Sequence, residues 1–412
     1  MIQPFDEEKY SELAYLESRH WENVTHNGQN IFCGDAVFLQ WASHPIVKVY
    51  NNVVETGDPS KDWLNFLFDH FKQFRYGCSI GCGSGWVERI LINNDLARMM
   101  DCYDISEGAI NEANKTNEFP DRLHFSTQDC NKLNLEKNKY DLILFHHSFH
   151  HLLNLEHIID TVEKALIEEG VVVLVDYVGE TRGRWSARKI ALCEYVLDLM
   201  PKGIFKGVSK LDDEFFRENP FEMIRSAEIL PLMNNKFHSI WRCDFGGTLY
   251  PINNTIVSAI EVRQWDKFIW LACLFDIILE EHIDPCFTFS IFCKKKNIFD
   301  IGVEKPDKGK ILDFLLAYGF KYRGESGQGT ESELMEMRSG IEALKSENRR
   351  LREHISEIYS TFGWSILNKI RFCRDKVLPS ESRRGKAYRE IMGRFKKILL
   401  RNTDLFKARK GE

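Results

Sequence analysis

The stretch Cys78–Gly85, CSIGCGSG, constrains this chain more than any other. It closes a short apolar run, Tyr76–Ile80, that reads as a buried strand. It then sets Gly81, Gly83 and Gly85 at alternate positions, ahead of Trp86, Val87, Ile90 and Leu91 on one face of a helix. Such spacing predicts a tight strand-to-helix turn whose backbone a ligand can approach with no Cβ in the way. The helix opening there presents unpaired N–H groups. A dinucleotide turn would need its last glycine where Trp86 stands. The observed spacing suits a ligand without a pyrophosphate, whose amino-acid carboxylate lies over the turn. Met99–Tyr103 reads as the next strand. It ends in Asp104, whose carboxylate can accept two hydrogen bonds from a ribose diol.

Alternation continues downstream. Strands are predicted over 76–80, 99–103, 122–126, 140–145 and 170–176, and helices over 85–95, 106–117 and 153–167. This order predicts a parallel sheet with right-handed crossovers, its ligand at the carboxyl ends of the strands. The residues just past each strand are therefore the candidates. After the third strand, Asp129 can accept from an exocyclic adenine amine, and the N–H of Cys130 can donate to a ring nitrogen. After the fourth come His146, His147, His150 and His151. Adjacent histidines usually point apart, so no metal site is expected; one or two of these rings should face the ligand. Cys78 and Cys82 have no second pair at zinc spacing either. After the fifth strand, Tyr177 should point to the acceptor side. His238–Phe245, a long helix over 256–281 and Cys286–Cys293 predict a final strand pair whose last member inserts antiparallel.

Taken together, CSIGCGSG, YDIS, QDC, DLILFHHSFHHL and VVVLVDYVG resemble the class I S-adenosylmethionine-dependent methyltransferases over roughly residues 76–295. The resemblance implies an α/β, Rossmann-like seven-stranded sheet and S-adenosylmethionine as cofactor. By the match, Gly81, Gly83 and Gly85 line the methionine part and Asp104 with Ile105 the ribose. Asp129 and Cys130 take the adenine edge, and His146 sits beside the sulfonium. The flanking segments HPIVKVYNN, DYVGETRGRWS and EMIRSAEILP resemble a bacterial subset associated with cell-surface polysaccharide assembly. They imply a sugar hydroxyl or phosphate as acceptor. Gly179–Arg182 departs from the proline-bearing turn of that family. The implied chemistry is in-line displacement, in which alignment does most of the work. A hydroxyl acceptor gains from a base, for which His150 or His147 is the candidate with Tyr177 as orienter. An ionised acceptor could instead be steered by Arg182, Arg184 or Arg225. The rival readings are methylation of a small metabolite or isoprenoid, and a catalytically inactive scaffold on the same fold.

The rest of the chain reads as attachments. Residues 1–75 form a helical lid, 76–323 the methyltransferase domain, and 324–330, GESGQG and its neighbour, a linker. Residues 331–360 carry heptads, with Leu334, Ile341, Asn348 and Ile355 at a and Met337, Leu344, Leu351 and Ile358 at d. A buried Asn348 favours a parallel homodimer, with a trimer as the alternative. Residues 361–412 hold 15 Lys/Arg against 5 Asp/Glu, a balance of +10, so a chain of net charge -6 carries -16 elsewhere. Apolar residues between these charges predict amphipathic helices on an anionic membrane surface or a glycan-assembly partner. Stacking aromatics are too few for nucleic acid. The polar start, the absence of a run of about 18 apolar residues and the scattered cysteines predict a cytoplasmic protein, peripheral at the inner membrane.

Overall fold

Seven segments rich in Val, Ile, Leu and Phe pair into one sheet: β1 Gly77–Ile80, β2 Met100–Asp104, β3 Leu123–Thr127, β4 Tyr140–His146, β5 Leu166–Tyr177, β6 His238–Phe245 and β7 Phe287–Cys293. The structure is a computed structural model that describes residues 7–26, 44–200, 207–208, 213–252, 259–295, 301–302, 305 and 307–324. Twelve helices are named in chain order. They are α1 Glu7–His26, α2 Pro45–Thr56, α3 Trp63–His70, α4 Trp86–Asn93, α5 Glu107–Lys115, α6 Leu155–Ala165, α7 Ala187–Asp198, α8 Asp213–Glu218, α9 Ile229–Lys236, α10 Leu249–Ile252, α11 Ala259–Leu279 and α12 Lys308–Gly324. The chain divides into two units, Met1–Tyr322 and Arg323–Glu412. The predicted coiled coil, the basic tail and all of the linker after Gly324 lie outside the described residues, as do residues 27–43 of the predicted lid.

The strand order is β3-β2-β1-β4-β5-β7-β6. β1 to β5 are parallel, and β7 runs antiparallel between β5 and β6. This is a seven-stranded, Rossmann-like sheet, with the inserted antiparallel final strand that the sequence predicts. Its central strands are apolar throughout because helices cover both faces. Leu142, Leu144, Val171 and Val173 pack on one face with α3 and α4, while Ile143, Phe145, Val172 and Leu174 pack on the other with α6 and α9. At the join of α6 and β5 the sequence misleads. The helix was expected to reach residue 167 and the strand to begin at 170, but α6 passes directly into a 12-residue β5 at Leu166.

The order reverses between β1 and β4, so a crevice opens above their carboxyl ends, where open α/β sheets hold ligands. Of the predicted N-terminal lid, α1 lies over this crevice: Ser18 Oγ donates to Ile105 O at 3.1 Å, and Glu17 accepts from Phe221 N at 3.0 Å. α2 and α3 pack on the sheet beside it. α2 packs on α11 and β6, and α3 sets Phe66 against Trp241 and Phe289. Asp276 of α11 fixes the far end of the sheet, accepting from Tyr50 Oη and from the backbone of Gly246, Thr248 and Leu249. Among the described residues no helix is long and apolar enough to cross a membrane.

Candidate active site

The turn after β1 is left-handed at all three glycines, with φ of 75° at Gly81, 54° at Gly83 and 74° at Gly85. Their surroundings differ. A Cβ on Gly81 would meet Ser148 Cβ at 2.4 Å, and one on Gly85 would meet the Phe125 ring at 2.3 Å. A Cβ on Gly83 would meet nothing within 4 Å. Gly81 and Gly85 are thus required by packing, whereas Gly83 bares its backbone to open space. Asp104, at the end of β2, ties this turn to the next helix. Its Oδ2 accepts from Gly83 N at 2.8 Å and its Oδ1 from Ser106 N at 2.8 Å, just where Ser106 caps α5. Burial raises the Asp104 pKa, against the pull of those two N–H groups. Each oxygen keeps a lone pair for a hydroxyl.

One cavity gathers the predicted cofactor residues Gly81, Gly83, Asp104, Ile105, Asp129, Cys130 and His146, together with His147. Gly85 stands one step behind, at the start of α4. Asp129 caps the turn that follows β3, and both its oxygens accept from Tyr10 Oη of α1 at 2.8 Å. His146 lies against the rings of Trp63, at 5.2 Å, and Trp86, at 5.4 Å. Burial and the neighbouring His147 hold His146 well below the ordinary imidazole range, and burial takes His147 down to about 4. Both rings are therefore neutral near pH 7.

Other candidates are placed differently. His150 and Tyr177 do not line the cavity. His150 Nδ1 is hydrogen-bonded to Asp176 at the end of β5, and Tyr177 Oη donates to Glu180 O at 3.2 Å inside a cluster with Trp185 and Met223. Two of the three candidate arginines are committed to structure: Arg182 donates to Glu222 O and Pro220 O, and Arg225 forks onto Glu156 at 2.7 Å and onto Glu228. No described arginine lines the cavity. In place of the family's proline turn, Thr181–Gly183 makes a single 3₁₀ turn with Arg182 at φ 59°.

The sequence reading gave the lid no site residues and gave the anchor beneath the histidines no role. Glu17, Trp21 and Val24 of α1, with His151 and Phe221, line the cavity. The only hint was the helical spacing of Tyr10, Glu17 and Trp21. Asp176 is fully buried and organises the histidine run, accepting from Ser148 N at 2.9 Å, Phe149 N at 2.7 Å and His150. Burial opposes its charge, but the His150 and His147 rings with these N–H groups hold its carboxyl below the usual range. A charge ending the run VVVLVD was the available signal. His151 Nδ1 stands 3.0 Å from Glu17 Oε1 without hydrogen-bond alignment. Burial alone would lower the His151 pKa, yet Glu222 and Glu17 raise it to about 9.

The cavity therefore gathers the carboxyls of Glu17, Asp104 and Asp129, and the acids beside His151 make it the one ring there that favours a proton. A net-negative cavity, a bared glycine backbone and two neutral imidazoles fit S-adenosylmethionine, which joins a sulfonium and an ammonium to a single carboxylate. A cationic ring at His146 would repel that sulfonium.

Residues 78–174 match the family model described as a methyltransferase domain. No curated protein matches the chain. Among solved structures, the geranyl diphosphate C-methyltransferase of Streptomyces coelicolor A3(2) is 12% identical, with 69% of this chain and 98% of that one covered at a TM-score of 0.42. The S-adenosylmethionine-dependent methyltransferase of Mesorhizobium loti is 16% identical, with 56% and 95% covered at a TM-score of 0.34. Residues 78–174 are thus matched as a methyltransferase domain, and the cavity at the ends of its strands fits S-adenosylmethionine. The cofactor is S-adenosylmethionine.

Proposed function

We propose that this chain methylates an oxygen nucleophile, a sugar hydroxyl or phosphate of a bacterial surface polysaccharide. One observation carries the methyl-transfer reading: Gly83, Asp104 and Asp129, from the ends of three successive strands, meet in one cavity beside the neutral rings of His146 and His147. Bound S-adenosylmethionine supplies a methyl group already activated on sulfur. The chain's own part is to seat the cofactor on the glycine turn, exclude water with α1 and align the acceptor. His147, on the cavity wall and neutral, is the group placed to take a hydroxyl proton. Its low basicity makes that assistance modest, since the best base has a pKa near the working pH.

The glycan reading is supported by the sequence segments around the site and by the aromatic walls of Trp21, Trp86 and Phe221, which suit a sugar ring face. The same walls, with Val24 and Leu152, also favour an apolar isoprenoid. In the cell, the heptads of 331–360 would pair two chains in parallel, and the tail 361–412 would hold them at an anionic inner-membrane surface. The test is release of S-adenosylhomocysteine with lipid-linked glycan precursors against prenyl diphosphates. Turnover with the glycan arm is expected. Turnover with the prenyl arm alone overturns the acceptor, and failure of wild type to bind S-adenosylmethionine in calorimetry overturns the enzyme.

A further inference from the structure

His150 and His151 do not point apart. Their ring centroids are 4.1 Å apart, and both Nε2 atoms face the carboxylate of Glu222. The far nitrogen of each ring lies beside an acid that is almost wholly buried. His150 Nδ1 is hydrogen-bonded to Asp176, which is 0% exposed, and His151 Nδ1 lies 3.0 Å from Glu17, which is 2% exposed. An acid at Nδ1 favours the Nδ1–H tautomer and turns the Nε2 lone pair outward. Glu222 is itself fixed, with Asn219 Nδ2 donating to its Oε2 at 2.9 Å.

Unless the rings carry a second proton, these groups converge with nothing positive between them. In the neutral tautomer both Nε2 atoms are acceptors, and so is every carboxylate oxygen. The contacts are too long for good hydrogen bonds: His150 Nε2 to Glu222 Oε1 is 3.6 Å, and His151 Nε2 to Glu222 Oε2 is 3.5 Å. They are close to the separation two ligands adopt around one ion. With metal–nitrogen and metal–oxygen bonds of about 2.1 Å, tetrahedral neighbours stand roughly 3.4 Å apart. One ligand atom from each of the three residues falls within 4.8 Å of the others, so a modest inward shift completes the set.

The geometry points to a divalent-cation site formed by His150, His151 and Glu222, with Asp176 and Glu17 as the acids behind the two rings. Two nitrogens and one carboxylate favour zinc, cobalt, iron or manganese over magnesium or calcium, which prefer oxygen. Three protein ligands leave a position open, and His151 is on the cavity wall, so an acceptor oxygen could reach it. Charge does not decide between occupants. One divalent ion or one extra proton on each ring leaves the five groups at the same total, and the competing structure is therefore a pair of imidazolium rings in an ion-pair network. The inference stands independently of methyl transfer.

The test is a cobalt(II) titration of the full chain after chelator treatment, read by visible absorption and by thermal melting. One cobalt per chain is expected, with the intense bands of a four- or five-coordinate site and a raised melting temperature that chelator reverses. Glu222→Gln should weaken binding at least tenfold, and Asp176→Asn by roughly 10–100-fold, the usual effect of losing an acid behind a metal-bound histidine. Glu222→Asp, which keeps the charge and shortens the arm, guards against a folding defect and should also weaken binding. The site is overturned if wild type binds no cobalt or zinc, if all three variants bind as wild type does, or if nitrogen NMR shows both rings doubly protonated with metal present.

Discussion

At the residue scale the three glycines of the turn make a sharp test. In the sequence they look equivalent; in space their neighbours come from elsewhere, Ser148 after β4 and Phe125 on β3. Gly83→Ala places a methyl group into open space at a left-handed φ of 54°, a strain of about 1 kcal/mol. It should leave the melting temperature within a few degrees of wild type yet weaken S-adenosylmethionine binding more than tenfold in calorimetry. Gly85→Ala should do the reverse of the first half. Its Cβ would sit 2.3 Å from the Phe125 ring, and overpacking of this kind costs roughly 1–3 kcal/mol on top of the strain, which thermal melting will show. Asp104→Asn keeps the shape and removes the charge. Losing a charge-assisted hydrogen bond of about 1.5–3 kcal/mol should weaken cofactor binding roughly 10–100-fold, and unchanged affinity would remove Asp104 from the ribose site. Asp104 and Asp129 were legible because an acid after an apolar strand is a local pattern. Tyr10 and Glu222 were not, because their positions depend on helix packing that no local spacing encodes.

At the scale of elements, the joint of α2 and α3 carries a pH response. Glu55, near the end of α2, is fully enclosed, and burial, then the charge of Asp62, raises its pKa from 4.5 to about 8 despite a Trp63 N–H. An acid with a raised folded pKa stabilises fully below its unfolded value. That contribution is lost as pH rises between about 4.5 and about 8, at up to 1.4 kcal/mol per pH unit. Subtracting the Glu55→Gln profile from wild type isolates this group, so the variant should be relatively more stable at pH 8 than at pH 5 in urea unfolding. A difference flat with pH would mean that Glu55 stays ionised in the folded chain. The elements themselves were largely legible, since a sheet covered on both faces must be apolar along its strands. The loop after β4 was not. Its run of histidines gave chemistry without direction, and the direction comes from Asp176, 26 residues later. Two adjacent rings therefore converge where sequence spacing alone predicts divergence.

At the scale of the whole molecule, the chain joins a unit that carries the cavity to a stretch whose sequence holds heptads and an excess of basic residues. α12 belongs to the former: Trp270 Nε1 donates to Leu315 O at 2.8 Å, and Leu315 is buried. A chain ending after Gly324 should therefore keep its fold and its affinity for S-adenosylmethionine, while losing the heptads from 331 proposed to self-associate and the basic residues from 361 proposed to seek anionic lipid. Light scattering should then give a dimer for the full chain and a monomer for the shortened one. Ending the chain at residue 360 should keep the dimer but abolish flotation with anionic vesicles, which separates the two attachments. Each of the basic residues lost with 361–412 contributes about 1 kcal/mol near such a surface, so the difference should be large in low salt and shrink as salt screens it. A shortened chain that still dimerises would place the interface on the methyltransferase unit, and vesicle binding indifferent to salt would leave the tail's charge without a role.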